Sequence, residues 1–203
     1  MRRSALLLLA IGLLASAARA AKVPPLVDVR SVIPGVRVRL RYAGTDNIFH
    51  KRFYASERAL LRKPVAERLA RVQQALRKQG LGLLIWDAYR PTSVQRAMWK
   101  LKPNGRYLAN PARGSKHSRG AAVDLTLVSL KTSRPLEMPT DHDAFSPKAH
   151  RGATRGVSVV AQRNARRLRA AMTAAGFFSN KYEWWHFTAP DWRRYPLSNA
   201  PAR

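Results

Sequence analysis

The chain has 203 residues, enough for one well-buried domain and few for two. It contains no cysteine, which excludes disulfides, thiolate metal sites and thiol nucleophiles, so a metal site is confined to His, Asp and Glu. Thirty-eight Lys and Arg against 11 Asp and Glu give a formal charge of +27, which favours polyanionic partners, whether nucleic acid, anionic lipid or acidic wall polymer; solvated faces of an arginine-rich chain are the ordinary alternative.

Residues 1–20 read as a secretory signal: Arg2 and Arg3 begin it, residues 5–15 form an apolar core, and Ala18-Arg19-Ala20 is a small-x-small cleavage site. The apolar core is shorter than the roughly 20 residues that span a bilayer. A mature chain from Ala21 keeps 35 basic and 11 acidic residues, or +24, and is expected in the periplasm or secreted. In that compartment envelope anions are more accessible partners than nucleic acid, and no specific nucleic-acid contact is expected. Residues 21–203 are expected to form a single domain.

Along that stretch, residues 36–42 alternate Val and Leu with Arg, the pattern of a half-exposed strand. A helix opens near Pro64, repeats Val65, Leu69, Val72 and Leu76 at helical spacing, and stops at Gly80. The apolar run 81–86 predicts a buried strand. Residues 91–100 predict a second helix with Val94, Ala97 and Met98 inward, and 121–128 a further strand. A long helix over 158–175 places Val160, Ala161, Leu168, Ala171 and Met172 inward before Gly176, and 182–188 is read as the last strand. Strands and helices do not alternate regularly, so the pattern predicts an α+β fold with a small, mainly antiparallel sheet flanked by helices.

Chemistry concentrates in two segments, residues 115–124 (SKHSRGAAVD) and 183–186 (EWWH). His117, Asp124 and His186 are three metal-capable side chains, and two imidazoles with one carboxylate leave a position open on a tetrahedral zinc for a hydrolytic water. Glu183 is then a spare carboxylate to take that water's proton. Asp124, within an apolar strand, requires a partner, either a metal or an arginine. Glu183 and His186 are three apart, so on a regular strand they face opposite sides and a bend or bulge is required. Trp184 and Trp185 read as core packing around the site. Arg90, between a buried strand and Pro91, is either a structural guanidinium or a cation for the oxyanion of an attacked carbonyl. His50, His142 and His150 lie in polar segments and are expected in solvent. No nucleophile elbow or phosphate-binding glycine loop is present.

These residues resemble the zinc D-alanyl-D-alanine dipeptidases of the vancomycin-resistance type, within the wider group of wall-peptide peptidases. The likeness runs from about Arg37 to Pro190 through Tyr42-Ala43, Asp46-Asn47, Trp86-Asp87-Ala88-Tyr89-Arg90-Pro91, the run 115–127 and the run 183–187. The resemblance implies an α+β zinc-peptidase domain with its groups around a small enclosed cavity. It implies that His117, Asp124 and His186 hold one Zn2+, Glu183 is the general base, and Arg90 is the transition-state arginine. It also implies that Ser115 lies beside the bound substrate and that Asp143 receives the amino group of a D-amino-acid dipeptide, with Asp141 as a competitor. Two segments depart from the family pattern: Asn-Phe-Thr-Gly reads Asn47-Ile48-Phe49-His50, and Met-Gly-x-x-Phe-Asp reads Met138-Pro139-Thr140-Asp141-His142-Asp143. The implied activity is hydrolysis of D-alanyl-D-alanine to two D-alanines. Cleavage of longer peptidoglycan stems, as a carboxypeptidase or endopeptidase, is the alternative, and a cationic envelope-binding protein without catalysis the third.

Overall fold

A computed structural model describes residues 22–201; the export segment read at residues 1–20 lies outside the described residues. Two sheets are present among the described residues. Strands β1 (Leu26–Asp28) and β3 (Leu60–Arg62) pair antiparallel. The larger sheet joins five strands in the order β2 (Arg37–Val38), β4 (Leu81–Asp87), β5 (Ala122–Ser129), β7 (His186–Thr188) and β6 (Phe178–Ser179), antiparallel throughout except for the β2–β4 edge. With helices α1 (Lys63–Arg77), α2 (Thr92–Leu101) and α3 (Val159–Ala174), this is an α+β fold.

Local chemistry accounts for most boundaries. Pro64 sits in the first turn of α1, where its missing N–H costs nothing. Beyond the helix, Gly80 adopts φ +69° and its N–H returns to Arg77 O at 3.0 Å, so a left-handed residue terminates the run. Ser158 caps α3, its Oγ accepting from Ala161 N at 3.0 Å. The apolar face of α1 (Val65, Leu69, Val72, Leu76) and Leu168 and Met172 of α3 are buried in a core cluster with Leu83, Ile85, Leu125 and Leu127 of the central strands. Each such side chain contributes about 1.5–3 kcal/mol relative to exposure. Both central strands are buried along nearly their whole length, which is why they read as continuous apolar runs.

Several sequence expectations are corrected. The strand read over 36–42 is confined to Arg37–Val38, because the Tyr42 carbonyl accepts from both Phe53 N and Tyr54 N and the chain turns through a 3-10 helix at Arg41–Ala43. Its alternation of exposed Arg and more buried Val and Leu is kept. In α2 Ala97 is exposed and Gln95 is buried instead, because Gln95 serves polar partners inside the fold. In α3 Val160 is 41% exposed, and Asn164 turns inward to donate to Glu137 O. The last strand begins only at His186, residues 182–185 forming the turn that precedes it.

Candidate active site

Asp124 lies in the middle of a row laid across three strands. It faces His186 of β7 on one side and Asp87 of β4 on the other. The register of β4 against β5 slips between Ile85 and Asp87, so Trp86 is an extra residue, and this irregularity brings Asp87 opposite Asp124. His117 enters from a 3-10 turn (His117–Arg119) just before β5, closed by Gly120 at φ +68°. Glu183 enters from the turn before β7: His186 N donates to Glu183 O at 3.3 Å, folding positions three apart toward one another. The bend that a strand reading required is therefore a tight turn.

The three metal-capable side chains meet. His117 Nε2 is 3.1 Å from His186 Nδ1 and 3.5 Å from Asp124 Oδ1, and His186 Nδ1 is 2.9 Å from Asp124 Oδ1. Ligands of a tetrahedral zinc at 2.0–2.1 Å are separated by about 3.3 Å, so this donor set has the spacing the ion needs. The far side of each ring is occupied. His117 Nδ1 donates to Ala88 O at 2.7 Å, which leaves Nε2 of the neutral ring as a lone pair, and His186 Nε2 pairs with Thr188 Oγ1 at 3.2 Å. Burial alone would raise the Asp124 carboxyl, but the imidazoles of His117, His142 and His186 gathered around it hold it well below the ordinary carboxylate range. Burial lowers His186, aided by the charge of Lys116 against the opposing pull of Asp124, which favours the neutral ring a metal ligand must present.

Around this triad the remaining groups line one cleft of about 260 Å3, below the roughly 300–1,000 Å3 of sites for drug-sized ligands. Glu183 is 6% exposed; Asn180 Nδ2 donates to its Oε2 at 2.7 Å, and Oε1 has no hydrogen-bond partner among the described residues. Burial pushes its carboxyl well above 4.5, and the nearby Asp124 and Asp143 add to the shift against Arg90 and Lys116. Arg90 is buried and held on two sides, its Nη2 and Nε donating to Asp87 Oδ2 at 2.6 and 3.2 Å and its Nη1 to Gln95 Oε1 at 2.9 Å. Asp87 in turn accepts from Tyr54 Oη at 2.6 Å. Ser115 lines the cleft, its Oγ accepting from His117 N at 3.2 Å.

Asp143 also lines the cleft, buried, at φ +57° and with Tyr42 Oη donating to its Oδ2 at 2.6 Å. A left-handed backbone at a non-glycine residue is strained and is found where a side chain has to be aimed. Asp141 points elsewhere: it is 66% exposed and ion-paired with Arg41 at 2.5 Å. Lys116 and Arg106 also line the cleft and add positive charge to it.

One sequence expectation about the site is overturned. His142 is not in solvent; its side chain is 2% exposed, within contact of the rings of Trp86 and Trp185, with Nε2 3.2 Å from Asp124 Oδ2. A polar-looking segment hid it, because the loop 139–143 folds inward over the site. Asp87 and Gln95 were likewise not singled out from the sequence. An Asp three residues before Arg90 at a strand end was the available signal for the first, and nothing local marked the second. His150 is partly buried against Tyr182, and His50 is exposed. Trp184 and Trp185 are buried, as core packing requires.

His117, Asp124 and His186 thus form a buried cluster able to hold a metal ion, beside a buried glutamate and a fixed arginine. The D-ala-D-ala dipeptidase family of M15 peptidases matches this chain over residues 22–199, and the chain belongs to that family. The D-alanyl-D-alanine dipeptidase of Escherichia coli (strain K12) is 38% identical over 172 residues, covering 85% of this chain and 88% of that protein. That of Enterococcus faecium is 33% identical, covering 82% and 92%. Among solved structures, a vancomycin-resistance D,D-pentapeptidase in complex with Zn(II) aligns over 68% of this chain and 76% of its own, with 18% identity and a TM-score of 0.41.

Proposed function

We propose that this chain is a zinc-dependent dipeptidase that hydrolyses D-alanyl-D-alanine to two D-alanines. The observation that carries the reading is the convergence of His117 Nε2, Asp124 Oδ1 and His186 Nδ1 within 3.5 Å of one another, on a small cleft shared with Glu183 and Arg90. The relatives that bear this activity in their names align over 85% and 82% of the chain. One Zn2+ held by the three side chains would polarise the scissile carbonyl and an attacking water.

The protein's own groups do the rest. Glu183, buried with one oxygen uncommitted, takes a proton from the water as its oxygen bonds to the carbonyl carbon; it then hands that proton to the leaving amine as the C–N bond breaks. Arg90, fixed by Asp87 and Gln95, presents positive charge to the oxyanion at no cost in reorganisation. Asp143 receives the ammonium end of the dipeptide, Ser115 lies beside it, and Lys116 and Arg106 provide for its carboxylate. The cleft thus offers both signs of charge to a two-residue zwitterion, and its small volume suits a substrate of that size.

We further propose that residues 21–203 form a single catalytic domain exported after cleavage near Ala20. The enzyme would then meet dipeptide in the periplasm or outside the cell, a place suited to wall turnover or scavenging. The test is release of D-alanine by the purified, zinc-loaded protein from D-Ala-D-Ala, from its N-acetylated analogue and from wall stem peptides. Cleavage confined to the free dipeptide supports the reading. Cleavage of the blocked or longer substrates instead moves the protein to the stem-peptide carboxypeptidases or endopeptidases, and zinc binding without any hydrolysis leaves a cationic binding protein.

A further inference from the structure

The two oxygens of Asp124 are divided between two sets of partners. Oδ1 faces His117 and His186, and Oδ2 lies 3.2 Å from His142 Nε2. A carboxylate at this position can only accept, so the His142 contact is an Nε2–H donated to Oδ2. We propose that His142 is a positioning residue for the metal site, committing Asp124 to hold the ion through Oδ1 alone. The inference rests on the reading of His117, Asp124 and His186 as the metal ligands.

Three observations support the assignment. His142 is fixed: its ring sits 5.3 Å from that of Trp86, 5.5 Å from Trp185 and 5.9 Å from Tyr42, so the imidazole cannot turn away without disturbing buried aromatic packing. The backbone around it is constrained, since Asp143 is in the left-handed region with its side chain tied to Tyr42, while His142 N donates to Asp141 Oδ1 at 2.8 Å. The third is chemical. Charged and polar groups facing His142 from neighbouring elements are Asp124 of β5, Asp87 of β4 and Asp143 on its own loop, so the ring stands in a concentration of negative charge that holds its N–H toward Asp124.

A donor to a ligating carboxylate limits it to one oxygen and one orientation. Partners of this kind are worth 10–100-fold in metal affinity. The decisive variants are His142→Phe, which keeps the ring and removes the donor, and His142→Gln, which keeps an N–H of similar reach. Zinc affinity is read by competition with a chromophoric chelator, and ligand geometry by the visible spectrum of the Co2+-substituted protein, both beside the thermal unfolding midpoint. His142→Phe is expected to fold, to bind zinc 10–100-fold more weakly, and to show an altered Co2+ spectrum; His142→Gln recovers at least part of both. Unchanged zinc affinity and an unchanged Co2+ spectrum in His142→Phe would overturn the proposal and leave His142 as packing. Should His142→Phe fail to fold, the same comparison of His142→Gln with His142→Ala decides, equal loss in both counting against the proposal. Failure of the wild-type protein to bind zinc at all would strike the ligand assignment, a separate result.

Discussion

Glu183 illustrates a conflict between stability and chemistry at one residue. Burial and the neighbouring Asp124 and Asp143 favour its neutral form, so its carboxyl is raised in the folded protein relative to the unfolded chain. A raised carboxyl contributes stability at pH values below the unfolded value of 4.5, and that contribution is lost as the pH rises through the folded value. As the proposed base, Glu183 has to act in the ionised form that its surroundings disfavour. Glu183→Gln is expected to raise the unfolding midpoint of the metal-free protein and to lower kcat by about 10²–10⁴-fold, the usual share of a general base. In the wild type the acidic limb of kcat/KM falls above the ordinary glutamate value, because the base has to be ionised. Calorimetry and pH–rate profiles check the two halves. A lower midpoint in the variant would show that the carboxylate is a net stabiliser. Asp87 presents the converse case. It is fully buried and neutralised by Arg90, with Tyr54 on its other oxygen, so Asp87→Ala leaves a buried guanidinium held by Gln95 alone among the described residues. Breaking such a pair costs about 3–5 kcal/mol. Denaturant unfolding should show that loss, and kcat should fall as Arg90 loses its fixed position, with a smaller change in KM.

At the level of elements, the site depends on turns more than on strands. Gly120 ends the turn that carries His117; it adopts φ +68°, and a Cβ there would lie 2.5 Å from Leu26 Cδ2 on β1 and 3.3 Å from Arg62 N on β3. Left-handed backbone costs a non-glycine residue roughly 1–2 kcal/mol before any clash. Gly120→Ala should therefore lose more than that in stability and should weaken zinc binding by displacing His117, whereas Gly80→Ala, which has open space around the added Cβ, should show the backbone cost alone. Equal losses in the two variants would mean the packing against Leu26 is relieved cheaply. The same turns mark where the sequence stopped being legible. Long periodic runs such as α1 and α3, and the apolar runs of β4 and β5, follow from burial patterns that any register of the fold would preserve. The two-residue strands β2 and β6 and the pairing of β1 with β3 carry too few residues to show a period, so only tertiary contacts define them. The quoted segments 115–124 and 183–186 carried the groups that meet in the cleft, but not how they meet: the turn from Glu183 to His186 and the slip at Trp86 depend on partners far along the chain. His142 was misread for the same reason, since its polar neighbours Asp141 and Asp143 point in different directions and only Asp141 reaches solvent.

For the whole molecule, the distribution of acids matters as much as the net charge. Asp87, Asp124, Asp143 and Glu183, four of the 11 acidic residues, are buried around the cleft, whereas of the Lys and Arg only Arg62 and Arg90 are buried among the described residues. The folding that assembles the site therefore removes negative charge from the surface and leaves an exterior more cationic than the composition indicates. Such a surface attracts anionic envelope material by about 1 kcal/mol for each basic group that approaches it, over a range of about 10 Å at 0.1 M salt. The protein is expected to sediment with vesicles of phosphatidylglycerol and phosphatidylcholine at 50 mM salt, to be released by 500 mM salt, and to ignore vesicles of phosphatidylcholine alone. Hydrolysis of free dipeptide should continue in the bound state, because the cleft groups lie inside the fold and take no part in the adsorption. Binding that is indifferent to salt or to lipid charge would show that the positive excess is only a solvated surface. Salt-sensitive binding would mean that the same arrangement of charge serves two ends, keeping carboxylates where a metal and a substrate ammonium need them and presenting cations to the envelope.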